Sequence, residues 1–185
     1  MSTFRTIPAL ARASLLSLAV AAPLAIAGHL NTVLEAELDG REQVGSAGTM
    51  AIVGDPDGRG EFYLFGIDGL PGQPNPNPNL LCYVLTVKKI GELDLAPAMG
   101  TRMAHIHAGK RGENGPVVAN IAWPQDGQAA DCLDALTQSG RFPMGNGAAV
   151  IADIKANPQG YYVNVHNAEY PAGAIRGQLG YSHGH

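Results

Sequence analysis

Turn-forming residues cut this chain into pieces too short for anything but strands or brief helices. Thr32–Leu38 alternates around Val33 and Leu34. Thr49–Val53 runs into Asp55-Pro56-Asp57-Gly58, and Glu61–Ile67 stops at Asp68-Gly69. Both stops are strong turn sequences, because Asp caps local backbone and Gly and Pro supply the required φ values. Leu70–Asn79 alternates Pro with Asn. Pro cannot donate to a sheet ladder, so this is read as an exposed loop. Strand-like runs resume at Leu81–Ile90, Arg102–His107, Val117–Ala122, Tyr161–His166 and Ala174–Leu179. Asp131–Gln138 reads as a short helix, and the apolar spacing of Ala148–Ala156 is helical up to Pro158. Many short strands between turns imply an all-β fold, a Greek-key β-sandwich or barrel of about eight strands with one or two short helices.

Composition narrows the function classes. Gly and Pro, 24 and 13 of 185 residues, lack the period of collagen. The net charge of −4 argues against a nucleic-acid partner, which requires a basic face. Residues 1–27 read as a cleaved leader. Arg5 and Arg12 precede the apolar stretch Ala13–Ala27, which ends in Ala25-Ile26-Ala27, a small-x-small cleavage pattern. The competing reading, a membrane anchor, fits poorly because the stretch contains Pro23 and is shorter than a spanning helix of about 20 residues. Loss of the two arginines takes the charge from −4 to −6. The expectation is a periplasmic or secreted protein whose mature chain, Gly28–His185, is one domain with a short His-containing tail and no membrane span; monomer or oligomer is left open. Cys82 and Cys132 are the only cysteines, and in an oxidising compartment a disulfide is the default. Buried free thiols or a thiolate metal site are the alternatives.

Chemistry concentrates in the histidines. In Ala104-His105-Ile106-His107-Ala108, positions i and i+2 of a strand share a face, so the two imidazoles project together. In Tyr161-Tyr162-Val163-Asn164-Val165-His166, the residues Tyr162, Asn164 and His166 share a face opposite Val163 and Val165. Three His from two strands suit copper, zinc or nickel, with copper favoured by the affinity order. Ordinary hydrogen-bonded histidines are the alternative. A fourth ligand is open among His29, His183, His185 and water. His29 would adjoin the new terminal amine after cleavage and could bind copper with it.

Two longer motifs carry a resemblance. Ala104–Gly109 with Gly112-Glu113-Asn114-Gly115-Pro116-Val117-Val118, and Tyr161–His166 with Tyr170-Pro171-Ala172-Gly173-Ala174-Ile175-Arg176-Gly177-Gln178-Leu179, resemble the chordin-type (CHRD) domain. The opening Leu34–Gly40 with Glu42-Gln43-Val44 resembles that domain's first strand, so the resemblance spans roughly Asn31–Gly180. A more distant similarity links the H-x-H strand, the later V-x-V-H strand and the nearby Arg to copper/zinc superoxide dismutases. That similarity implies a Greek-key barrel in which His105, His107 and His166 ligate copper and Arg176 steers the anionic substrate, a looser match. Cys82–Cys132 would stand for the usual disulfide, although its position does not correspond. No His lies between His107 and His166, so the zinc-binding loop and bridging His are missing. The implied site holds one copper ion and no zinc. The expected function is copper-only superoxide dismutation, acting on superoxide. Its rivals are copper storage with a copper donor or acceptor as partner, and a metal-free interaction module contacting partners through Leu70–Asn79. Lys110 and Arg111 are further candidate cations beside the H-x-H strand.

Overall fold

The computed structural model describes residues 30–45, 53–69, 77–91 and 103–182. The leader, His29, His183 and His185 lie outside these, as do the expected strand at 49–53 apart from Val53 and most of the 70–79 loop. Among the described residues, nine antiparallel strands form one curled sheet: β1 (Leu30–Asp39), β2 (Arg59–Gly69), β3 (Leu80–Lys88), β4 (Ala104–Ala108), β5 (Val117–Asn120), β6 (Gln128–Asp134), β7 (Tyr161–Val165), β8 (Ile175–Gln178) and β9 (Gly180–Tyr181). Their order is β5-β4-β7-β8-β1-β2-β3-β6, with β9 added to β1. Among the described residues the single α-helix, α1 (Gly147–Ala156), lies between β6 and β7. It falls where apolar spacing predicts a helix and ends before Pro158, and it buries Ile151 and Ile154.

Strand parity decides the core. Leu34, Leu64 and Tyr83 stand opposite one another on β1, β2 and β3, and all three are buried. Val33, Tyr63, Phe65 and Val84 on the other face are exposed. The sheet must roll up. Laid flat, eight strands would be about 34 Å wide at about 4.8 Å per strand. Yet only residues 121–127 join edge strand β5 to edge strand β6, a reach of at most about 29 Å. The two halves meet across the interior, where the Ala122 N–H donates to the Tyr83 hydroxyl at 2.5 Å. Leu38, Phe62, Ile106, Val163 and Ile175 fill the space between as part of one apolar cluster.

The expected helix at Asp131–Gln138 is a correction. This segment is the end of strand β6 followed by a turn. Leu133 lies opposite Leu81, both fully buried, and Cys132 lies opposite Cys82. Asp134 then ends the strand, since its Oδ1 accepts from the Leu136 N–H at 2.8 Å and its Oδ2 accepts from the Thr137 hydroxyl at 2.7 Å. Such side-chain bonds to nearby groups compete with a helix. Cys82 and Cys132 form a disulfide between β3 and β6, spanning 50 residues of sequence. Among the described residues, no helix is long and apolar enough to cross a membrane.

Candidate metal centre

The site grows from β4, the central β7 and β8. On β4, Ile106 turns into the core with no exposure, which forces His105 and His107 onto the other face. That face is not solvated. The loop 109–116 and the segment 40–45 fold over it, leaving His105 and His107 only 8% and 9% exposed. Register carries the face sideways: His105 stands opposite Asn164, which stands opposite Arg176, while His107 stands opposite Tyr162 and Tyr162 opposite Gln178. His166 follows directly after β7 and its backbone N–H bonds to the Met103 carbonyl at 2.8 Å, which brings its ring beside β4.

His105, His107 and His166 converge, each offering one ligand atom, with these atoms all within 4.8 Å of one another. His105 Nδ1 lies 3.3 Å from His166 Nε2. Backbone carbonyls define the other two rings. Gly115 O lies 2.9 Å from His107 Nδ1, and Pro171 O lies 3.0 Å from His166 Nδ1. A carbonyl can only accept, so both Nδ1 atoms carry the proton and both Nε2 atoms present a lone pair, that of His166 toward His105 Nδ1. Metal-binding histidines are commonly held in this way. His107 Nε2 is buried and has no hydrogen-bond partner, an orphaned acceptor that a cation would satisfy. Burial holds both His107 and His166 below the ordinary imidazole range; the Gly115 and Pro171 contacts partly oppose this, and for His107 the nearby His166 and Arg176 add to it. Both rings are therefore neutral near pH 7, as ligation requires. Three imidazole nitrogens without a carboxylate or thiolate suit copper or zinc, and leave a coordination position open.

The supporting residues lie in the two loops. Gly115 passes so close to β4 that a Cβ there would sit 1.6 Å from the Ala108 carbonyl oxygen. Its N–H donates to the Tyr162 hydroxyl at 3.2 Å while its carbonyl holds His107. Gly173, at φ 135°, lies where a side chain would strike Asn164 and Gln43. Those two residues are bonded to each other at 2.6 Å. The roles of Gly115 and Pro171 had no signal in the sequence, since a backbone carbonyl has no residue type. Tyr162 was visible as a face-mate of His166, but its stacking was not.

Arg176 has an occupation other than an open approach to the site. It is 1% exposed. Its guanidinium donates to the Glu113 carbonyl at 2.7 Å, the Lys110 carbonyl at 3.1 Å and Asn114 Oδ1 at 3.3 Å. Its Cζ lies 3.4 Å from the centre of the Tyr162 ring. Tyr162 in turn stacks on His107 with ring centres 4.7 Å apart and planes 12° apart. Because β7 lies between β4 and β8, His107, Tyr162 and Arg176 form a layered stack. Lys110 and Arg111 are exposed in the covering loop, and Arg111 pairs with Glu42 at 2.5 Å.

Fold and site together define a curled antiparallel β-domain with a loop-covered three-histidine cluster on its outer face. The chain belongs to the CHRD domain family, whose pattern matches residues 34–179 and so includes all three histidines. No curated protein and no solved structure gives a significant match.

Proposed function

We propose that this is an exported copper-binding CHRD domain protein with superoxide dismutase activity. The observation that carries the reading is the convergence of three imidazoles, two with their tautomer set by loop carbonyls, around an orphaned buried nitrogen. His105 Nδ1, His107 Nε2 and His166 Nε2 would hold the ion. Bound copper would supply a one-electron couple, so that one superoxide leaves as dioxygen and a second, with two protons, as hydrogen peroxide. The chain's part is to keep the ligands neutral, leave a position open and offer positive potential to an anion approaching an acidic protein. Lys110, exposed on the covering loop, would be a cation to meet it; Arg176, being buried, would contribute potential without contact. Export rests on the leader-like residues 1–27 and accords with the Cys82–Cys132 disulfide, with residues 28–185 as the mature domain.

The near-complete cover over His105 and His107 favours one alternative, copper storage or hand-off at the same site. Metal analysis after copper loading, with His105→Ala/His107→Ala as control, tests both. One copper per chain, lost in the control, supports the site. Absence of bound copper in the native protein sinks both readings and leaves the metal-free interaction module. Stoichiometric copper without superoxide consumption selects storage.

A further inference from the structure

We propose that Arg176 is a fixed buried positive charge, one tyrosine ring behind the histidine cluster, that biases the bound metal toward monovalent over divalent copper. The inference rests on the copper reading and deepens it. The cluster is made of imidazoles, and no Asp, Glu or Cys joins it among the described residues. Arg176 is a fixed cation stacked on Tyr162, which is itself stacked on His107. It forms no ion pair among the described residues. Its acceptors are two carbonyls and the Asn114 amide oxygen, all of them uncharged. The nearby acids Glu42 and Glu113 favour its charge through space but do not pair with it: Glu42 pairs with Arg111, and Glu113 accepts from the Lys110 backbone N–H at 3.2 Å. An arginine cannot escape burial by losing its proton. Its charge therefore persists where water screens it poorly, and it repels a dication more than a monocation.

Arg176 touches neither metal nor ligand, so its role must be separated from that of a loop clamp. Three variants of the full chain, each loaded with copper, make the separation. Arg176→Gln removes the charge. Arg176→Lys keeps the charge but cannot span three acceptors. Asn114→Asp keeps Arg176 and its acceptor oxygen but places a carboxylate against the guanidinium, losing only the Asn114 bond to the Val44 carbonyl at 3.1 Å. The readouts are the reduction potential of bound copper and the affinities for Cu(I) and Cu(II), each measured against a chromophoric chelator. The preference for Cu(I) should fall about tenfold in Arg176→Gln and Asn114→Asp, a drop of about 59 mV for a one-electron couple, and hold in Arg176→Lys. Equal shifts in the Gln and Lys variants would mean a clamp alone and overturn the proposal. So would an unchanged potential in Asn114→Asp, which remains decisive if Arg176→Gln does not fold. Failure of the native protein to bind copper is a different result, seen first in the stoichiometry, and it removes the copper reading itself.

Discussion

Gly115 is where the fold and the site are most tightly joined, and Gly115→Ala tests that joint. A Cβ at this position would lie 1.6 Å from the Ala108 carbonyl oxygen, a backbone atom that cannot swing away. The loop must lift from β4. Lifting it endangers three hydrogen bonds: His107 Nδ1 to Gly115 O at 2.9 Å, Gly115 N–H to Tyr162 at 3.2 Å, and Ala108 N–H to Pro116 O at 3.0 Å. At about 1 kcal/mol each, the loss is roughly 2–3 kcal/mol. For a chain of this size that lowers Tm by roughly 5–10 °C. Copper affinity should fall about 10–100-fold, as when a partner that orients a metal-bound histidine is removed. Thermal unfolding of the apo protein and copper competition measure the two effects. Gly140→Ala is the control: no atom lies within 4 Å of its Cβ, so its effect should stay within about 0.5 kcal/mol. A Gly115→Ala protein that matches the native one in both Tm and copper affinity would refute the argument that the loop carbonyl builds the site.

Three further outcomes follow from the same structure. Replacing Cys82 and Cys132 by Ala opens a link across 50 residues and should cost about 4 kcal/mol through loop-closure entropy, read as a lowered urea midpoint. The apo protein should lose stability as pH falls through about 6.5, because the unfolded histidines bind protons there while burial keeps His107 and His166 neutral in the fold. Above that pH both states hold these rings neutral and the contribution is flat. Urea midpoints at pH 7.5 and 5.5 show the slope, and His107→Gln/His166→Gln should reduce it; stability that rises on acidification contradicts the assignment. Tyr83→Phe removes the acceptor for the Ala122 N–H between the two halves of the sheet and should cost about 1–2 kcal/mol, measured by chemical denaturation.

Period-two parity makes much of the site legible in the sequence. It placed His105 with His107, and Tyr162 and Asn164 with His166, because a strand's faces are decided within two residues. The same logic failed at Asp131–Gln138. There the apolar residues do not separate strand from helix, and the decision came from Leu81 and Cys82, some fifty residues earlier in the chain. A disulfide was foreseeable from two lone cysteines. Their position directly opposite one another on β3 and β6 was not.

What the sequence by itself determined is therefore local or countable: the strand-rich class, the two motifs of the CHRD domain, the shared faces of the histidines and the cysteine pair. Only the tertiary structure decided which nitrogens are free to bind and what Arg176 does. The free nitrogens depend on carbonyls of Gly115 and Pro171, which loop contacts bring to the rings. Arg176 became a buried charge because the loop 109–116, more than sixty residues away in sequence, closes over it and supplies uncharged acceptors. Side-chain type sets what a residue can do. The path of distant backbone over it sets whether solvent, a carbonyl or a metal meets it.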